Sequence, residues 1–473
     1  MTHTATTPSL VIIGAGPGGY PAAYLAADYG MEVTLIDKDP NPGGVCLYRG
    51  CIPSKALLHV SNILNDANSA SEWGVQFDSP KIHLPSIRKQ KDKIVSRLTN
   101  GLGAMAKQRN VTFMQGTAKF LDESTVRVSK TGDEPVDFTF DYAIISTGSH
   151  PSPLPGLDIT DPRIMDSTSA LELDEIPQSL LVIGGGYIGL ELGSVYSALG
   201  SDVTVVEMAN RLLPEVDPDL VKPLQSKLET TFTSILLETS VEDVSNDGDR
   251  LSVVMRSILG ETTTDSYDKI LVAVGRKPFS ADLGLEMTNV KIDQNGFIDT
   301  NAQCKTAHNN IYAIGDVAGN PMLAHKATAE ARIAIESIQG MTSSFDPAAI
   351  PAIVFTDPEI AWAGLTESQA KAKGISVETI SFPWIASGRA MTVGHTDGLT
   401  KLVVEPSTQR VLGVGVVGYG AGELIGEGVL AIEMGSRVED IALSIHPHPT
   451  LSETISEAAH LFFGHNPHYI QRK

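Results

Sequence analysis

The sequence describes an α/β chain in which one open-sheet unit occurs twice and a third unit of α+β type follows. Three observations lead there: a glycine-rich turn between apolar runs near residue 14, the same arrangement near residue 184, and a change of pattern after residue 348.

Residues 10–13 are a short apolar run ending at Gly14, which reads as a buried parallel strand. An Ala-rich stretch, 21–29, predicts a helix, and 32–36 predict a second strand ended by Asp37. The unit recurs as a strand at 180–183, a turn opened by Gly184, a helix over 188–199 and a strand at 203–206 ended by Glu207. In both copies the acidic residue lies 18 positions after the last turn glycine, Gly19 to Asp37 and Gly189 to Glu207. A second echo joins them, because 141–148 match 268–275 in length and pattern, and Gly148 and Gly275 are each followed three residues on by a proline. Residues 161–178, polar and proline-punctuated, read as a linker. From 349 onward, short alternating runs at 399–405 and 411–417 predict an antiparallel sheet, and 422–434 and 451–463 predict helices. The expected boundaries are 1–150 and 279–348 for the first unit, 151–278 for the second and 349–473 for the third.

The first turn is Gly14-Ala-Gly16-Pro-Gly18-Gly19. Glycines permit a tight bend and close approach of backbone to a pyrophosphate, and the helix behind presents free N–H groups and its positive dipole end. Asp37 can accept hydrogen bonds from an adenosine ribose. The second turn, Gly184-Gly-Gly186-Tyr187-Ile-Gly189, closes on Glu207, whose carboxylate favours a free 2′-hydroxyl and so NAD over NADP. With flanking strand, helix and acid in register, two Rossmann-like dinucleotide-binding domains are the simplest account. In the run 311–316, Asp316 ends a strand where it could hold a flavin ribityl hydroxyl, or cap a helix.

Cys46 and Cys51 lie five residues apart. On an ideal helix that spacing is about 8.6 Å between Cα atoms, beyond the roughly 7 Å a disulfide spans. A bridge therefore demands a distorted turn, which Gly50 and Pro53 could allow. A helix N-terminus with Arg49 or Lys55 beside it would lower a thiolate pKa. By spacing alone, two unrelated buried thiols fit equally well; the fingerprint upstream favours a redox pair. Near the other end, Pro447 and Pro449 stiffen the backbone around His448, and Glu453 could hold its imidazole in one tautomer as a general base. His446 reads as structural and Cys304 as a small buried hydrophobe.

Composition excludes much else. A net charge of −21 and pI of about 4.9 disfavour nucleic acid and anionic membranes. No run of about 20 apolar residues offers a membrane span, and residues 1–9 lack the charged and apolar regions of a signal peptide. Three cysteines in 473 residues suit a reducing, cytoplasmic setting rather than a disulfide scaffold. No cluster has metal-ligand spacing, so no metal is expected.

The motifs in this order resemble the pyridine nucleotide–disulfide oxidoreductase family. The resemblance runs from Val11 to about Glu457; its most specific segments are residues 43–55, 322–327, 355–359 and 448–453. It implies a C-terminal α+β dimerisation domain and a homodimer. It implies FAD at Gly14, Gly16, Gly19, Asp37, Lys55, Gly148, Asp316 and Ala324, and NAD at Gly184, Gly186, Tyr187, Gly189, Glu191, Glu207 and Gly275. Cys46 would be the thiol that meets substrate and Cys51 would lie against the flavin. Lys55 would pair with Glu191 beside it, Tyr187 would gate it, and His448 and Glu453 would come from the other subunit. Within the family the chain looks like the branch that oxidises dihydrolipoamide borne by an acyltransferase or a lipoyl carrier protein. Tyr48 and Arg49 depart from the residues usual there and bear on the substrate channel. The competing enzymes are glutathione- and mercury-type reductases. The first would want arginines near Glu207; the second would carry a cysteine pair in the tail, here His468-Tyr-Ile-Gln-Arg-Lys473. A flavin-bound docking subunit is the rival of another class.

Overall fold

The computed structural model describes residues 7–154, 156 and 161–470; most of the N-terminal stretch read for a signal peptide, and residues 471–473 of the tail, lie outside the described residues. The apolar run at 10–13 becomes the strand Ser9–Ile13 at the centre of a five-stranded parallel sheet. Across it the order is Ile311–Ala313, Tyr142–Ile145, Ser9–Ile13, Glu32–Asp37, Thr112–Gln115. One face (Leu10, Ile12, Val33, Leu35, Ile144) packs on helices Gly19–Asp28 and Ala324–Ile338. The other (Val11, Ile13, Ile36, Ala143, Ile145) packs on the antiparallel sheet of Thr117–Phe120, Thr125–Ser129 and Val136–Thr139. Both faces are covered, so the strand is apolar at consecutive positions instead of alternating.

The second unit repeats the plan. Its parallel sheet runs Ser234–Leu236, Asp202–Val206, Ser179–Ile183, Lys269–Val272, Ile164–Met165. Helices Tyr187–Leu199 and Pro218–Thr231 cover one face, and the three-stranded sheet containing Arg250–Ser257 covers the other. The linker reading of 161–178 needs correction. Ile164–Met165 adds the fifth strand by pairing with Ile270 and Leu271. Asp166 then caps helix Ser167–Glu172, accepting the N–H groups of Thr168 and Ser169. A two-residue edge strand and a single capped turn are too short to leave a periodic pattern, and their polar residues imitate a linker.

The third unit is an antiparallel sheet ordered Ala352–Val354, Glu359–Gly364, Val411–Gly418, Leu399–Val404, Glu378–Pro383. Alternation read along 399–405 and 411–417 does not match the burial, since these strands are almost wholly enclosed. Helices Ala421–Glu433 and Glu453–Phe462 pack on one face, while Leu220 of the second unit presses against Gly415. Beneath that contact Lys401, 2% exposed, reaches the carboxylates of Asp217 at 3.2 Å, Asp219 at 2.9 Å and Glu367 at 2.8 Å. Among the described residues no helix is long and apolar enough to cross a membrane.

Candidate active site

The first glycine turn is built by exclusion of side chains. Gly14 has φ +98°, and a Cβ on Gly19 would lie 1.8 Å from the Gly14 carbonyl oxygen. The helix Gly19–Asp28 has no side-chain N-cap; Tyr20 and Ala22 donate to the Gly16 and Gly18 carbonyls and Pro21 has no N–H, which leaves the N–H groups of Gly18 and Gly19 for an anion. Asp37 Oδ2 accepts the N–H of Ala15 at 2.6 Å and Oδ1 that of Asp39 at 2.9 Å; burial raises its pKa. In the second unit Gly184 has φ +112°, a Cβ on Gly189 would meet the Gly184 oxygen at 2.2 Å, and Gly186 has open space around it. Glu207 Oε2 accepts the N–H of Gly185 and Oε1 that of Ala209, each at 2.7 Å. Both acids thus lock their own turn, a role sequence reading missed. With about four lone-pair sites per carboxylate, each keeps capacity for a ribose hydroxyl.

Between the cysteines the chain forms two helices, Gly44–Arg49 and Cys51–Ser69, broken at Gly50 (φ −144°, ψ −115°). The break takes the place of the distorted turn expected from Gly50 and Pro53 together; Pro53 sits inside the second helix. A Cβ on Gly50 would press on the Val45 oxygen at 3.0 Å. The two residues are free thiols, Cys46 half-buried and Cys51 exposed. The neighbouring Cys46 thiol and, after it, the Lys55 ammonium lower the Cys51 pKa to about 7, against the loss of solvation of its sulfur. The Cys51 sulfur and desolvation push the Cys46 thiol far up. Of the two cations offered for the thiolate, Lys55 or Arg49, Lys55 takes the place, and the Arg49 guanidinium forks onto Asp39, at 3.0 and 2.5 Å.

Lys55 Nζ lies 2.7 Å from Glu191 Oε2, whose side chain is 4% exposed. Glu191 Oε1 accepts the N–H of Phe355 at 3.0 Å, and Lys55 Nζ stands 4.4 Å above the Phe355 ring, so one cluster joins all three units. Tyr187 opens its helix and is 40% exposed. The echo segments pair with each other. After Gly148 (φ +75°) and Gly275 (φ +116°), Ser149–Pro151 and Arg276–Pro278 form an antiparallel ladder. Arg276 donates to Ser149 Oγ and its carbonyl at 2.7 Å each, and Ser149 Oγ donates to Asp316 Oδ2 at 2.5 Å. Asp316 caps no helix through its side chain; it ends in this network. Ala324 begins a helix with no side-chain cap. Three residues with roles here were missed from sequence: Arg276, Phe355 and Glu330, whose carboxylate accepts the Gly315 N–H at 2.7 Å and pairs with Lys326 at 2.6 Å. Two of them had a signal, Arg276 directly after the echoed glycine and Phe355 at the start of the segment 355–359.

His448 is on the third unit, its side chain 76% exposed, with Nδ1 2.8 Å from Glu453 Oε1. Glu453 Oε2 accepts the Thr450 N–H at 2.7 Å, which fixes the carboxylate. His446 is held separately, Nε2 to Glu427 at 2.7 Å and Nδ1 to the Ser444 carbonyl. Within one chain these hydrogen bonds remain in the third unit, and the cysteine pair stays in the first. Cys304 is buried and its pKa is raised to about 12 by that burial. Among the described residues no three His, Cys, Asp or Glu side chains gather to hold a metal.

The residues fit two dinucleotides. Each turn is clear of Cβ atoms, each helix behind lacks a side-chain cap, and an acid stands at each strand end. Comparison with known proteins agrees. Residues 8–331 match the pyridine nucleotide-disulphide oxidoreductase model, and 350–459 match that family's dimerisation domain, which supports a homodimer. A protein of Vibrio parahaemolyticus named dihydrolipoyl dehydrogenase is 47% identical over 455 residues, 96% of this chain and 95% of its own. One of that name from Halobacterium salinarum is 41% identical over 99% of both. The crystal structure of LpdA from Mycobacterium tuberculosis superposes with TM-score 0.89 at 28% identity, covering 96% of this chain and all of its own. The Escherichia coli flavoprotein disulfide reductase RclA, induced by HOCl, superposes with TM-score 0.86 at 28% identity, covering 96% and 99%.

Proposed function

The chain belongs to the pyridine nucleotide-disulphide oxidoreductase family, and on that premise we propose that it oxidises protein-bound dihydrolipoamide to lipoamide with NAD+, as a homodimer. The observation that carries the reading is the cysteine pair astride the helix break at Gly50, on a segment packed over the first glycine turn, with Lys55 on the same helix as Cys51 and held by Glu191.

FAD would be held by Gly14, Gly16, Gly19, Asp37, Lys55, Gly148, Asp316 and Ala324. NAD would be held by Gly184, Gly186, Tyr187, Gly189, Glu191, Glu207 and Gly275. When bound, FAD accepts the electron pair from the reduced cysteines and NAD+ takes it up as hydride. The chain's own residues do the rest. In the oxidised enzyme a substrate thiol gives its proton to His448 Nε2, while Glu453 on Nδ1 holds the tautomer and steadies the imidazolium. The substrate thiolate attacks Cys46 Sγ, and the Cys46–Cys51 bond breaks with the electron pair leaving on Cys51. The second substrate thiol then attacks the first substrate sulfur, its proton passing to Cys46 as that sulfur leaves and lipoamide closes, while His448 keeps the first proton. Lys55 stabilises the Cys51 thiolate, and Glu191 aims Lys55. His448 and Glu453 would serve the partner's cysteines, which makes the dimer the catalytic unit. The acidic surface suits a basic docking segment on a lipoyl-bearing acyltransferase or lipoyl carrier protein, and the reducing chemistry suits the cytoplasm.

Cys46→Ser should lower dihydrolipoamide-dependent NAD+ reduction by more than roughly a thousandfold while bound flavin stays at the wild-type level. Turnover near wild type would end the proposal. NADPH serving better than NADH, with glutathione disulfide the better substrate, would redirect it within the family.

A further inference from the structure

We propose that Arg49 is a positioning residue: clamped to Asp39, it ties the helix bearing Cys46 to the loop that serves the adenosine end of FAD, so that flavin retention and cysteine–flavin alignment depend on one ion pair. This rests on the flavin reading above and deepens it.

Arg49 is the last residue of helix Gly44–Arg49, directly before the break at Gly50. Its side chain does not continue toward the thiols. Both ends of the guanidinium fork donate to the two oxygens of Asp39, with the side chains only 23% and 12% exposed. A paired, parallel fork fixes orientation as well as distance, which a lysine in the same place could not do. Tyr48, the neighbour that also departs from the family's usual residue, reinforces the turn-back. Its hydroxyl donates to the Asn41 carbonyl at 3.2 Å, and the guanidinium lies 5.8 Å from its ring centroid.

The loop at the other end is stiff and tied in. Pro40 and Pro42 restrict it, Asn41 donates to Asn100 Oδ1 at 3.1 Å, and Gly43 N–H donates to the Ala15 carbonyl at 2.8 Å. Asp39 in turn donates its backbone N–H to Asp37, which holds Ala15 in the glycine turn. A continuous path of hydrogen bonds thus runs from the Cys46 helix through Arg49, Asp39 and Asp37 to the turn that would take the pyrophosphate. Arg49 also neutralises Asp39. Without it a buried carboxylate would stand beside Asp37, close to where a doubly anionic pyrophosphate must bind.

The test uses the full-length flavin-loaded enzyme, with three readouts: the release rate of FAD followed by its fluorescence, the long-wavelength absorbance on anaerobic reduction with dithiol, and Tm. Arg49→Met and Asp39→Asn should each release FAD roughly tenfold faster, the effect of losing about 1.4 kcal/mol, and should diminish the long-wavelength band. The exchange Arg49→Asp with Asp39→Arg should recover part of both. Wild-type release and band in Arg49→Met, or a change in Tm alone, overturns the proposal. Should Arg49→Met fail to fold, Arg49→Lys decides: it keeps the charge and loses the fork, so an intermediate band and release rate are expected, and wild-type values overturn the clamp. Cys51→Ser is the control. If it removes the band, the flavin–thiolate reading stands whatever Arg49 does; if the band survives, that reading falls first.

Discussion

In the first unit Asp37 accepts the N–H of Ala15, and in the second Glu207 accepts the N–H of Gly185, each pair 22 residues apart. Each sheet is covered by helices on one face and by a small antiparallel sheet on the other. What lies over the glycine turn separates them. Above the first, Gly44 takes φ +58° and approaches so closely that its Cβ would sit 2.5 Å from Gly16 Cα. Above the second, Leu213 N–H donates to the Gly185 carbonyl at 3.1 Å and Leu212 covers Gly185, but nothing lies within 4 Å of a Cβ on Gly186. One frame therefore serves two purposes. The cysteine segment folds over the first turn and suits a resident cofactor, while the second turn, open at Gly186, suits a dinucleotide that must enter and leave at every cycle.

Breaking the roof of the first turn should have the largest effect. Gly44→Ala adds a clash to a left-handed backbone that alone costs about 1–3 kcal/mol, so purified protein should carry under roughly a fifth of its flavin. Gly186→Ala should keep full flavin. The ratio of flavin to protein absorbance checks both, and a fully yellow Gly44→Ala protein would remove the distinction between the turns. The two acids offer a finer cut. Glu207→Gln retains one acceptor oxygen, cannot hold both N–H groups, and should weaken NADH binding roughly tenfold at unchanged flavin content. Asp37→Asn should do the reverse, and equilibrium titration with NADH separates them.

The smallest effect is one of pH. An ordinary thiol ionises near 9, and Cys51 is lowered to about 7. The thiolate is therefore present above about pH 7 and lost as pH falls through it. The long-wavelength band of the dithiol-reduced enzyme should halve near pH 7, fully reversibly, while the cysteines of a Lys55→Met variant titrate higher. A band constant from pH 6 to 9 would mean that Cys51 is not the thiolate.

The amino-acid order by itself determined what depends on neighbours along the chain. Glycines where a Cβ cannot fit, an acid at a strand end, two cysteines astride a glycine, and a histidine five residues from its glutamate are all local arrangements of residues near in sequence. Short elements escaped, as the strand Ile164–Met165 shows, because two residues carry no period. Tertiary structure alone decided that Lys55 pairs with Glu191, that Arg49 turns to Asp39, and that Lys401 lies among carboxylates. It also set the contacts of Phe355 with Glu191 and of Ser149 with Asp316, 164 and 167 residues apart. Groups so distant in sequence meet only after three cores have packed. A hydrogen bond's strength depends on the last few tenths of an ångström, which packing sets and spacing along the chain does not.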